Sequence, residues 1–163
     1  MDKAQAEERY KQALITSLRL LAASPKSGRE LNKKLTDKGY GEDIILRVMS
    51  ELGAQGVLDD SVYAQDLVSR LTQYKAAGKH KVDFELKRHG ISEKIRKELL
   101  ESISPNEEFD RALECARLKW AGWAKVEPQK RKKRLYDFLI RKGYDFQIAQ
   151  DTLRTLSKEP TDD

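Results

Sequence analysis

Leu31-Asn32-Lys33-Lys34-Leu35-Thr36-Asp37-Lys38-Gly39-Tyr40 is followed by Ile44, Met49 and Leu52, and this pattern recurs twice more along the chain. The second copy reads Val82, Leu86, His89-Gly90-Ile91, Ile95, Leu100 and Ile103. The third reads Leu135, Leu139, Lys142-Gly143-Tyr144, Ile148, Leu153 and Leu156. Counted from each glycine, the apolar positions fall at −8, −4, +1, +5, +10 and +13 in all three, and the glycines lie 51 and then 53 residues apart. A helix that ends in a left-handed residue takes glycine there because no Cβ clashes, and the next residue packs back on the last turn. That pairs Tyr40 with Leu35, Ile91 with Leu86 and Tyr144 with Leu139. Two residues past each glycine stand Gly41, Ser92 and Asp145, all acceptable starts for a new helix. Each segment therefore predicts two short helices joined by a tight turn.

A longer one-sided stretch precedes each pair. Tyr10, Leu14, Leu18 and Leu21 share the offsets of Tyr63, Leu67, Leu71 and Tyr74, and Phe109, Leu113, Ala116 and Trp120 keep nearly the same face. Ser104-Pro105-Asn106-Glu107 and Ser27-Gly28-Arg29-Glu30 have the spacing of capping boxes. Nothing shows sustained strand alternation. The expected fold is all-α: three tandem three-helix repeats at residues 1–55, 56–104 and 105–156, stacked into an elongated, curved array. The polar end, 157–163, is expected to be a disordered acidic tail.

The 163 residues carry 32 Lys and Arg against 27 Asp and Glu, a formal charge of +5. The helices before the three glycines concentrate the positive charge. Residues 26–38, 79–89 and 129–142 carry +3, +2 and +6, together +11, so the remainder is −6. The densest run, Lys130-Arg131-Lys132-Lys133-Arg134, follows Pro128 in a helix-start position, where cations oppose the helix dipole. It reads either as an electropositive patch for phosphates or an acidic protein surface, or as a solubilising face on a helix that starts later. Trp120 falls on the apolar stripe and reads as core, whereas Trp123 is the better candidate for an exposed contact.

Other chemistry is weakly signalled. Asp59 and Asp60 could hold Mg²⁺, but they also stand where carboxylates cap the helix of Tyr63 and Leu67. His80, His89 and Cys115 lack the number and spacing of a zinc site, and Gly78-Lys79 lacks the rest of a phosphate-binding loop. No catalytic residue, metal site, cofactor or small-molecule substrate is expected. The single cysteine fits a reducing cytosol. The most apolar stretch, 13–23, is too short for a membrane span and lacks a signal cleavage region.

Gly56-Val57-Leu58-Asp59-Asp60-Ser61-Val62-Tyr63-Ala64, followed by Glu85-Leu86 and Gly90-Ile91, then Phe138-Leu139, Arg141 and Gly143-Tyr144, resembles the RecX regulatory family. Arg29-Glu30-Leu31 with Lys34-Leu35 resembles that family's opening repeat, and the resemblance covers residues 10 to 156. Lys79 departs from it, standing where the family often has proline. The resemblance implies tandem three-helix repeats and a cytoplasmic modulator of RecA, acting in recombination, DNA repair and the SOS response. It implies binding in the groove of the RecA–DNA filament, inhibition of RecA's recombinase, ATPase and coprotease activities, and association with single- and double-stranded DNA. Joined to the charge pattern, it makes Lys33, Lys34, Lys38, Lys79, Lys81, Arg88, Trp123, Lys130, Arg131, Lys132, Lys133, Arg134, Arg141 and Lys142 the candidate filament- and nucleic-acid-binding residues. The rival expectation is a freestanding helical DNA-binding protein that works without RecA.

Overall fold

The computed structural model describes residues 2–159, and these form nine α-helices and no strand. In chain order they are α1 (Lys3–Ala23), α2 (Gly28–Asp37), α3 (Glu42–Ala54), α4 (Asp60–Gln73), α5 (Lys79–Arg88), α6 (Glu93–Ser102), α7 (Pro105–Gly122), α8 (Pro128–Arg141) and α9 (Phe146–Lys158). The all-α repeat reading therefore holds. Helix α9 runs through Ser157 and Lys158, so the expected disordered tail does not begin at 157. Residues 160–163 of that tail lie outside the described residues.

The expected turns form by the expected bonds. Gly39, Gly90 and Gly143 take φ of 81°, 77° and 91°. Tyr40 N–H donates to the Leu35 carbonyl (3.2 Å) and Gly39 N–H to Thr36 (2.9 Å), while Tyr144 and Gly143 repeat this on Leu139 (3.1 Å) and Ile140 (2.9 Å). The same lock ends α3, where Val57 N–H reaches the Leu52 carbonyl at 2.9 Å beside Gly56 at φ 68°. Both capping boxes are present, at Ser27/Glu30 and Ser104/Glu107.

The described residues form two compact units, 2–66 with 87–95, and 67–86 with 96–159. The first has Ala13, Leu31, Leu35, Ile44, Ile45, Val48 and Leu52 at its centre, and the second Ala112, Ala116, Leu135, Leu139, Tyr144, Ala149 and Leu156. The stretch expected as the middle repeat is shared between them, and the hydrogen bonds show why. In the first unit the turn at Gly90 seats on the start of α2. Ser27 Oγ donates to the His89 carbonyl (2.6 Å) and Gly28 N–H donates to Asp60 Oδ1 (2.7 Å). In the second unit the turn at Gly143 seats on the start of α5. Gly78 N–H donates to the Lys142 carbonyl (2.8 Å), His80 N–H to the Gly143 carbonyl (3.0 Å) and Lys79 N–H to Glu108 Oε1 (2.8 Å).

These two joints are built alike. Ser27 and Gly78 each lie twelve residues before the glycine of their own repeat, and Gly28 and Lys79 eleven before it. In each joint the unsatisfied N–H groups of a middle helix receive a carboxylate from the first helix of the following repeat. The turn of that following repeat closes over the same helix end. Asp60 therefore caps α2, while Asp59 caps its own helix by accepting from Ser61 (2.9 Å) and Val62 (3.2 Å). Tyr144 is sealed into the second joint, with its hydroxyl donating to the Ala76 carbonyl (2.7 Å) and its ionisation pushed up by burial.

The first joint is expected to weaken in acid. Partial burial disfavours the Glu30 carboxylate, but the Ser27 N–H (3.0 Å) and His89 Nδ1 (2.7 Å) outweigh it and hold the carboxyl below its ordinary range. A depressed acid stabilises the fold fully above its unfolded pKa, and that share is lost as pH falls through the folded one. The thermal midpoint is thus expected to fall more steeply in the parent than in Glu30→Gln as pH drops below the ordinary glutamate value of about 4.5. Superimposable pH profiles would show that Glu30 contributes nothing to this slope.

Candidate functional site

The basic helices place their cations unevenly. On α2 the buried stripe is Leu31 and Leu35, which leaves Lys33 and Lys34 exposed, and Lys38 is exposed at the helix end. On α5, Lys81 and Arg88 are exposed. Lys79 is only half-exposed, with its ammonium 4.0 Å from the buried Glu108 carboxylate that also caps its backbone N–H. It serves the joint rather than an outer surface.

Helix α8 starts at Pro128, so the basic run does occupy its first turn. The dipole cost is offset by Glu127, whose carboxylate accepts from Gln129 and Lys130 N–H, both at 3.0 Å. Those two bonds pull the Glu127 carboxyl below its ordinary range. Lys130, Lys132, Lys133, Arg134 and Arg141 are exposed. At 3.6 residues per turn, Lys130, Arg134 and Arg141 share one strip, and Lys132 and Lys133 flank a second that continues through Tyr136 and Ile140.

Three further candidates have other work. Arg131 is 8% exposed, with its guanidinium 3.8 Å over the Trp120 ring and its Nε (3.1 Å) and Nη2 donating to the Trp120 carbonyl. It stands four residues before Leu135 and eight before Leu139, on the buried stripe of α8, and is withdrawn from the cationic surface. Lys142 donates from Nζ to the Lys75 carbonyl (2.7 Å). Trp123 is not the exposed contact expected of it: half-buried, it ends α7 and packs with Trp120 against the core of the second unit. The i−4, i−8 spacing of Arg131 from two core leucines was the available signal for its burial. Glu127 before Pro128 was the signal for the cap.

Among the described residues, no group of three His, Cys, Asp or Glu side chains could hold a metal ion, and no helix is long and apolar enough to cross a membrane. Short helical modules docked turn to helix end, with exposed cations on their middle helices, define an all-α helical repeat protein. Comparison with known proteins narrows the class. The pattern of the first three-helix domain of RecX matches residues 13–52, and that of the third matches residues 106–153. Regulatory protein RecX of Pelodictyon phaeoclathratiforme is 32% identical over 93% of this chain and 92% of its own. That of Clostridium perfringens strain 13 is 31% identical over 93% of this chain and 71% of its own. The crystal structure of RecX from Lactobacillus salivarius has the same fold, with a TM-score of 0.85 over 93% of this chain and 98% of that one at 16% identity. This chain belongs to the RecX family of regulatory proteins.

Proposed function

We propose that this protein is a cytoplasmic, non-enzymatic regulator that binds the RecA–DNA filament and inhibits RecA's recombinase, ATPase and coprotease activities. Family membership supports the partner. The observation that carries the mode of contact is the exposed set Lys130, Lys132, Lys133 and Arg134 at the start of α8, with Lys33 and Lys34 on the equivalent helix α2. Cations there meet phosphate or carboxylate at little desolvation cost, whereas the neighbouring buried leucines keep each helix fixed.

The test is RecA ATPase on single-stranded DNA with increasing purified protein, together with filament disassembly followed by light scattering. Inhibition and faster disassembly are expected at concentrations too low to coat bare DNA. A freestanding DNA binder would instead inhibit only once the DNA is covered, and would show sequence preference in direct titration. That second result would overturn the reading.

A further inference from the structure

Beside the cations of α8 lies exposed apolar surface, bordered by Tyr136, which packs half-buried against the core of the second unit. Phe146, the first residue of α9, is 63% exposed, and Ile140 on α8 is 40% exposed. The Phe146 ring stands edge-on to Tyr136, with centroids 6.4 Å apart and planes at 74°. The core of the second unit is already filled by Leu135, Leu139, Ala149 and Leu156, so Phe146 is not needed there. Tyr136 lies one helical turn from both Lys132 and Lys133, which are exposed. Two acids adjoin these rings in sequence: Asp145 is committed to the cap of α9, accepting from Ile148 N–H at 2.8 Å, and Asp137, next to Tyr136, is half-buried one turn from Lys133.

We propose that Phe146 and Tyr136, with Lys132 and Lys133 beside them, form a stacking platform for single-stranded DNA. This deepens the reading of α8 as a phosphate-contacting helix and rests on it. An exposed aromatic face next to two cations matches the alternation of base and phosphate along an unpaired strand. A duplex offers the same phosphates but keeps its base faces stacked inside, so the aromatic pair distinguishes the two forms. The cations supply affinity that falls with salt, and the rings supply affinity that does not.

The test is fluorescence anisotropy of labelled oligothymidylate and of a labelled duplex across a salt series, with far-UV circular dichroism confirming the helix content of each variant. Phe146→Ala is expected to weaken single-strand binding about tenfold, within the range for losing one stacked base. Its salt slope and duplex affinity are expected to match the parent. Lys132→Ser with Lys133→Ser is expected to flatten the single-strand slope by about 0.7 for each phosphate no longer neutralised. Phe146→Tyr is expected to bind like the parent. Unchanged single-strand affinity in Phe146→Ala, with a flattened slope in the lysine variant, would overturn the platform and leave the basic-helix reading standing. Equal losses for duplex and single strand in Phe146→Ala would also overturn it. Parent-like binding by both variants would overturn the platform and the basic-helix reading together.

Discussion

Gly143→Ala is expected to lower the thermal midpoint by roughly 10 °C, while Gly39→Ala lowers it by roughly 3 °C. The two glycines sit in the same tripeptide, Lys-Gly-Tyr, in turns closed by the same hydrogen bonds and with similar positive φ. Either alanine meets the left-handed penalty of about 1 kcal/mol. Their surroundings differ. A Cβ on Gly39 meets nothing within 4 Å, whereas one on Gly143 would lie 2.4 Å from both Lys81 Cβ and Lys81 N. On the other side of that joint, Gly78 is as tightly held, with its own Cβ position 2.4 Å from the Gly143 backbone. Backbone meets backbone here, so neither side can turn away. Separating the elements costs the bonds from Gly78 and His80 and about 3 kcal/mol of overpacking strain. Circular dichroism melts of the two variants side by side check this. Equal midpoints would mean that the turn at Gly143 is not docked on α5.

The second large effect concerns binding. Replacing Lys130, Lys132, Lys133 and Arg134 together by Ser is expected to weaken filament or DNA association without moving the thermal midpoint. All four are exposed, and substitution of exposed side chains is near neutral for stability. Each phosphate left without its cation is expected to cost roughly eightfold in affinity at about 0.1 M salt and to remove about 0.9 from the duplex salt slope. If all four reach phosphates, the loss is about four thousandfold. Arg131→Ser is expected to do the reverse. It removes the stack on Trp120 and leaves the Trp120 carbonyl without its partner, destabilising by about 2 kcal/mol with little direct change in affinity. Equilibrium titration and thermal melts of both variants separate the two roles. A loss of affinity with an unmoved midpoint in Arg131→Ser would return that residue to the binding surface.

The sequence disclosed the helices because each is specified locally. The glycine offsets, the capping serines and the apolar stripes all act within about four residues, and the three repeated glycines all take the left-handed φ that those signals required. The joints were hidden because their partners are far apart along the chain. Nothing near Gly28 announces Asp60, 32 residues on, and nothing near Lys79 announces Glu108, 29 residues on. Gly78 showed the same limit. Read alone, Gly78-Lys79 looked like a failed phosphate loop, yet its lack of a side chain admits the backbone of residues 143 and 144. At the candidate surface, composition located the basic helices but could not divide the run at 130–134. That division follows from which residue points at Leu135 and Leu139, and a charged side chain on an apolar stripe was outweighed by its four basic neighbours.

The position twelve residues before each repeat glycine holds Ser27, then Gly78, then Arg131. The first two are small and leave a berth in which another module's carbonyl comes to rest. At the third, the arginine and the indole beneath it fill the berth themselves, and in the first repeat Arg9 donates to the Gly39 carbonyl (2.9 Å) that heads its own turn. Each guanidinium thus engages within its own repeat a position that the two joints give over to a neighbouring one, and a design that adds a joint of this kind would begin by shortening one of these arginines.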